Sequence, residues 1–429
     1  MKFIYADSLD FVDPEYDFQA DATRAGRDAY WGDAYAHELL GYAPYDGILV
    51  SRAIVGDHRL RGKYTDTQAM RFRRVGARKF LRLDKPDLAQ TLLFGDCGAF
   101  SYASQPRPPY TPEDTVEFYA DGSFTHGCSI DHIIFEFDAD AKGMSGGSPQ
   151  SRERFDITLE LADAFLHRSR DLGPSFTPIG VVQGWSAPSK AEAARRLVAM
   201  GYRYLALGGL VPLKTSAIHQ AVSAVHDAVG HVDDLRIHLL GFAKADQLAE
   251  FFRYPRLASF DTTSPLLRAF KDARRNYYLR NADGSIEYYT ALRIPQALEN
   301  AHLKRSAQMG QFRQEDLAAK EAAALSAVRS YACGDTSVDV ALAALLDYSR
   351  AFLWKPTLTE RDLSRHLATL RSHYARTLED RPWRRCRCAV CDSLSVEVML
   401  FRSSNRNKRR GIHNLAVFYE HLQELRRSC

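Results

Sequence analysis

The 429-residue sequence lacks any apolar run near the roughly 20 residues that a membrane-spanning helix needs, so no membrane partner is expected. It has no GxxxxGKS/T string and no HExxH, which disfavours P-loop nucleotide hydrolysis and zincin proteolysis. The start, Met1-Lys2-Phe3-Ile4-Tyr5-Ala6-Asp7, turns acidic at once and does not read as a signal peptide. Cysteine is sparse and odd in number: seven, with three inside six residues. That disfavours a disulfide framework and favours a metal site in a reducing, cytoplasmic setting. Wholesale disorder is excluded by 45% hydrophobic and 26% charged residues.

What is present begins with charge. The net of +4, from 57 basic and 53 acidic residues, hides an asymmetry. Arg371 to Cys429 holds 13 Lys/Arg and 6 Asp/Glu, a net of +7, and the remainder is −3. A basic end on a slightly acidic body suggests a polyanion partner.

Short β-branched or apolar runs recur through the first 261 residues, at 3–6, 47–51, 91–95, 132–137, 177–182, 204–207, 237–240 and 257–260. Most are continuous rather than alternating, as strands buried on both faces are. Helical patterns such as 191–200 and 244–252 lie between them. Eight strand–helix units over about 260 residues suit an α/β fold of the (β/α)8 TIM-barrel kind. An open doubly wound sheet is the alternative. The expected division is a barrel at 1–265, a mostly helical insertion at 266–380 and a basic, metal-bearing C-terminal subdomain at 381–429. The one low-complexity piece, Gly143–Ser148, reads as a mobile loop.

In such barrels the active site lies at the C-terminal strand ends. There the sequence puts Asp96 and Phe100 after the third run, Asp138 after the fourth and Gln183-Gly184 after the fifth. Gly208-Gly209 follows the sixth run and Asp261 the eighth. An aspartate after a strand also serves as a helix N-cap, and Gly-Gly as a turn; the joint placement is what counts. Two carboxylates near a sugar can perform retaining glycosyl transfer. A glutamine and bare backbone N–H groups can bind a planar heterocycle, on which Phe100 can stack.

Cys386, Cys388 and Cys391 form C-x-C-x-x-C, and His413 follows. Three thiolates and an imidazole make a closed, structural zinc site, with His421 as the competing fourth ligand. Cys97, Cys128, Cys333 and Cys429 read as free thiols.

The ordered strings DCGAF, FEFD, VVQGW, LGGL, HLLGF, SFDTTSP and CxCxxC…H resemble those of the queuine/tRNA-guanine transglycosylases, from Asp96 to His413. Cys97 and Ala99 replace that family's Ser and Gly, Trp185 replaces a glycine, and Thr262-Thr263-Ser264 replaces Cys-Val-Met. The first hundred residues also differ. These departures are closer to the superfamily's DNA-acting branch, the DpdA-type 7-deazaguanine DNA transglycosylases.

The resemblance implies a barrel with a zinc subdomain. It makes Asp261 the nucleophile at the sugar C1′ and Asp96 the general acid/base. Asp138, Gln183, Gly184, Gly208 and Gly209 would bind the base between Phe100 and Leu240. Cys386, Cys388, Cys391 and His413 would hold zinc. It implies DNA and 7-cyano-7-deazaguanine as substrates, a modification and restriction system, and an ATPase-like helper. Between the third cysteine and His413 lies an Arg-rich stretch, with Arg402, Arg406, Lys408, Arg409 and Arg410 expected to track a nucleic-acid backbone. Arg71–Arg82 and Arg268–Arg280 are further basic runs. The competing expectations are a tRNA-acting enzyme, a zinc-stabilised binding module on an inactive barrel, and a barrel hydrolase.

Overall fold

A computed structural model of the chain describes residues 1–242 and 244–428. It divides into two compact units, Met1–Leu9 with Tyr45–Ser264, and Asp10–Pro44 with Pro265–Ser428.

The first unit is the expected barrel. Eight parallel strands close on themselves in sequence order: β1 (Lys2–Ala6), β2 (Gly47–Ser51), β3 (Leu92–Asp96), β4 (His126–Cys128), β5 (Thr177–Val182), β6 (Tyr204–Leu207), β7 (Arg236–Leu239) and β8 (Leu257–Asp261). β1 pairs with both β2 and β8, Ile4 lying opposite Gly47 and Asp261. Helices Asp66–Phe80, Pro112–Gly122, Pro149–Ser169, Ala187–Met200 and Thr215–Val229 lie between successive strands. Ile4, Leu49, Phe94, Ile179, Val181 and Tyr204 fill the interior, so the barrel is a packed core.

Seven strands fall where the apolar runs place them; the fourth does not. The run at 132–137 lies beyond the sheet, and β4 is His126–Cys128. Gly127 and Gly95 of the adjacent strand leave room for the Tyr119 ring, which a Cβ at either would approach within 2.4 and 2.2 Å. A strand with glycine at its centre has little β signal of its own.

The second unit combines an antiparallel hairpin, β9 (Tyr277–Arg280) with β10 (Ile286–Tyr289), and helices Gln314–Cys333, Val338–Leu353 and Glu360–Asp380. It also holds a short parallel pair, β11 (Leu292–Arg293) with β12 (Leu400–Phe401), and helix Ser404–Ser428. The units cut the chain differently from the expected three-part division: 10–44 belongs with the second unit, and no unit boundary falls near 380. No described helix is long and apolar enough to cross a membrane.

Candidate active site

A pocket of about 270 Å³ opens at the C-terminal strand ends of the barrel. It is lined by Asp7 after β1, Asp96 of β3, Asp131 after β4, Gln183 after β5, Gly209 after β6, Leu240 and Gly241 after β7, and Asp261 of β8. The structure therefore brings together Asp96, Asp261, Gln183, Gly209, Leu240 and Phe100 from the expected set.

Asp261 is held at one oxygen. Its Oδ1 accepts from the Gly241 N–H (2.7 Å) and faces Nε2 of the fully buried His238 (3.1 Å). His238 Nδ1 lies 2.6 Å from Ser259 Oγ, which lies 2.6 Å from the Tyr204 hydroxyl. With Asp261 a carboxylate, Nε2 is the donor, Ser259 donates to Nδ1 and Tyr204 donates to Ser259. Every proton in this chain points toward Asp261. Among the described residues no hydrogen bond takes Oδ2, which is left for the pocket. His238 was missed in the sequence because a lone histidine in an apolar strand has the look of a core residue.

Asp96 Oδ2 accepts from the Gly98 N–H (2.9 Å). Burial first, and then the charge of Asp261, push its carboxyl up to about 6. Asp131, 1% exposed, is pushed up to about 7 by burial and by Asp96. Its Oδ2 accepts from Gln183 Nε2 (2.7 Å), and its buried Oδ1 has no hydrogen-bond partner among the described residues. Gln183 Oε1 accepts from the Ile134 N–H (3.2 Å), so both ends of that amide are engaged in bracing.

Lys190, also fully buried, donates to the Gly208 carbonyl (2.8 Å). Burial lowers its amine to about 7, against the pull of Asp131. Gly208 and Gly184 do not line the pocket. A Cβ on Gly208 would lie 2.5 Å from Gln183 Nε2, and one on Gly184 2.7 Å from Ser189 Oγ, so both glycines serve close packing. Gly209, at φ +70°, does line it.

Asp138 is a correction. Because β4 ends at Cys128, the acid delivered to the mouth is Asp131, and Asp138 lies on a later turn outside the pocket. There its backbone N–H donates to the Trp185 carbonyl and its Oδ1 accepts from the Asp140 N–H (3.0 Å). Trp185 does not line the pocket either. It is buried, donates to the Ser145 carbonyl (3.0 Å), and packs under Gly147. The loop read as mobile is thus pinned, with Arg152 donating to the Gly146 and Gly147 carbonyls. At the rim, Phe100 (54% exposed) and Phe135 (47%) are a tilted pair 5.7 Å apart.

In the second unit, Cys386, Cys388, Cys391 and His413 place four ligand atoms within 4.8 Å of one another, a group that could hold a metal ion. The Sγ atoms lie 3.6, 3.3 and 3.4 Å from His413 Nδ1. A tetrahedral site of three sulfurs and one nitrogen, with ordinary metal–ligand lengths, has sulfur-to-nitrogen edges of about 3.5 Å. His413 Nε2 is 2.7 Å from the Tyr278 carbonyl, which fixes its proton there and leaves Nδ1 for the ion. His421 instead faces the Gly284 carbonyl (2.8 Å) and takes no part. Cys97 and Cys128 are buried free thiols and Cys333 an exposed one; Cys429 lies outside the described residues.

The Arg-rich stretch is a second correction. It opens helix Ser404–Ser428, and its side chains point inward within the second unit. Arg402 pairs with Asp21 and Glu321, and Arg406, fully buried, with Asp21 (2.9 Å) and Glu397. Arg409 donates to the Asp13 carbonyl (2.8 Å), Arg410 to those of Val398 and Leu400 (3.1 Å each), and Lys408 to that of Phe11 (3.3 Å). Arg402 and Arg406 are desolvated and ion-paired, and Arg409 and Arg410 are buried against carbonyls, so these four are internal struts with little surface for a polyanion, whereas Lys408 is half-buried.

Fold and mouth together define a parallel-barrel enzyme whose carboxylates suit glycosyl transfer. No family model matches the chain. The sequence is 39% identical over 425 residues to a DNA-guanine transglycosylase of Salmonella montevideo, a match spanning 99% of this chain and 97% of that protein. The chain belongs to the DNA-guanine transglycosylase family and is an enzyme of the glycosyltransferase class. The expected resemblance, including the DNA-acting branch, is borne out.

Proposed function

We propose that the barrel exchanges guanine in DNA for 7-cyano-7-deazaguanine through a covalent Asp261 glycosyl intermediate, as one step of a DNA-modification system. The observation that carries this reading is Asp261, tethered at Oδ1 by Gly241 and His238, in one pocket with Asp96 and Asp131. A paired guanine is flipped from the duplex into the mouth. Asp261 Oδ2 attacks C1′, the C1′–N9 bond breaks, and the leaving N9 takes a proton from Asp96. The incoming base then gives its N9 proton back to Asp96 and attacks C1′, releasing Asp261. Two inversions give net retention and the proton balance closes.

Asp131 suits the N–H edge of either base. Its bare Oδ1 accepts there, and Gln183 holds its other oxygen. The Gly209 N–H faces the base carbonyl, and Phe100 and Leu240 cover the ring faces. Zinc in the Cys386, Cys388, Cys391 and His413 cluster would brace the second unit and leave no coordination position for substrate.

The test is mass spectrometry of nucleosides from DNA incubated with enzyme and 7-cyano-7-deazaguanine, with a parallel tRNA arm. The modified deoxynucleoside is expected from wild type, and none from Asp261→Asn, with DNA binding kept. Incorporation by that variant, or into tRNA alone, would overturn the reading.

A further inference from the structure

With Arg402, Arg406, Arg409 and Arg410 consumed internally, exposed positive charge of the second unit is found at other positions. A pocket of about 460 Å³ is lined by the turn before β9, by β10 and by helix Glu360–Asp380. Arg274, Arg275, His373 and Arg376 stand around Tyr288 there. The turn carrying the first two is fixed. Asp272 Oδ1 accepts the backbone N–H of both (2.8 and 2.9 Å), and the Thr290 hydroxyl donates to the Arg274 carbonyl (2.7 Å). The Thr377 hydroxyl in turn donates to the Thr290 carbonyl (2.8 Å).

Arg376 is neutralised by Glu287 and Asp380. Arg274 and Arg275 differ: both are exposed, and among the described residues no carboxylate is in ion-pair range of either. The Arg275 guanidinium lies 5.4 Å over the Tyr288 ring. Burial, and then the charges of Arg274 and Arg376, push the His373 imidazole down.

We propose that Arg274 and Arg275 grip a backbone phosphate of the DNA substrate; this rests on the DNA reading above. Guanidinium forks match phosphate oxygens, and a fixed backbone spares much of the ordering cost. The ring of Tyr288 is already covered by Arg275, so the pocket favours a phosphate over a stacked base. The N–H groups of the turn are spent on Asp272, so the backbone offers no nest to enclose a free anion. A strand passing through, held by side chains alone, is what remains.

The test uses the full-length protein, with duplex affinity measured across a salt series and steady-state exchange measured beside it. In the Arg274→Ala/Arg275→Ala double variant, DNA affinity should fall about tenfold or more. The slope of log affinity on log salt should shrink by about 1 to 2, and kcat at saturating DNA should hold. The Lys/Lys double variant, which keeps both charges, should restore most of the slope. Unchanged affinity and slope in the Ala/Ala variant, beside a wild type that binds DNA, would overturn the site alone. So would competition by millimolar inorganic phosphate beyond its ionic strength, which marks a small-anion pocket. A wild type with no salt-dependent DNA affinity removes the DNA reading and this site with it.

Discussion

Burial and the neighbouring Asp261 both draw Asp96 toward its neutral form, to about 6 against an ordinary aspartate near 4. That position suits a group that gives a proton and takes one back. It also costs stability. The native state binds this proton more tightly than the unfolded chain, so stability falls as pH rises from about 4 to 6 and stays lower above. Asp96→Asn should therefore stabilise the protein by about 1–2 kcal/mol at pH 7.5, gain nothing at pH 4, and lose exchange. Thermal melting at the two pH values, beside an activity assay, reads both. Equal melting temperatures for wild type and variant at pH 7.5 would show that the buried charge is not strained.

At the scale of elements, helix Ala187–Met200 reaches the pocket indirectly. Its first turn presents Lys190 to the Gly208 carbonyl. A peptide plane directs its carbonyl and its N–H oppositely, so fixing Gly208 C=O aims Gly209 N–H the other way, into the pocket. Lys190→Met keeps the bulk and frees the carbonyl. It should raise KM for the incoming base about tenfold and change kcat less, as steady-state kinetics with varied base would show. Neither Lys190 nor Asp131 was legible in the sequence. A lysine in an Ala- and Arg-rich helix has the pattern of a solvated face, and Asp131 follows a strand hidden by its central glycine. The barrel, the mouth acids Asp96 and Asp261, and the cluster of three cysteines and a histidine were legible, because continuous apolar runs and ligand spacing are local signals. What was lost depends on which residues the fold buries together, as with Asp138 against Asp131.

At the scale of the molecule, the same distinction decides the charge. The net of +7 in the last 59 residues is real, but its densest run is turned inward in the second unit, where Arg402 and Arg406 meet Asp21, Glu321 and Glu397. Arg406 is the centre of that network. Arg406→Ala leaves Asp21 to Arg402 and Glu397 to Arg329, so the loss should sit at the low end for a broken buried pair, about 3 kcal/mol. Denaturant unfolding of the full chain measures it. A loss under about 1 kcal/mol, the range of an exposed pair, would mean that the network is solvated in solution.

The excursion of residues 10–44 also sets an order of events during synthesis. Asp21 meets Arg406 across 385 residues of chain. A ribosome releases the barrel strands in order, each beside one already made, yet 10–44 must wait for Arg329 and then for Arg402 and Arg409, far down the chain. Barrel closure can therefore precede assembly of the second unit, which needs segments from both sides of the barrel sequence. A chain cut short after residue 264 would carry that segment without the rest of its unit.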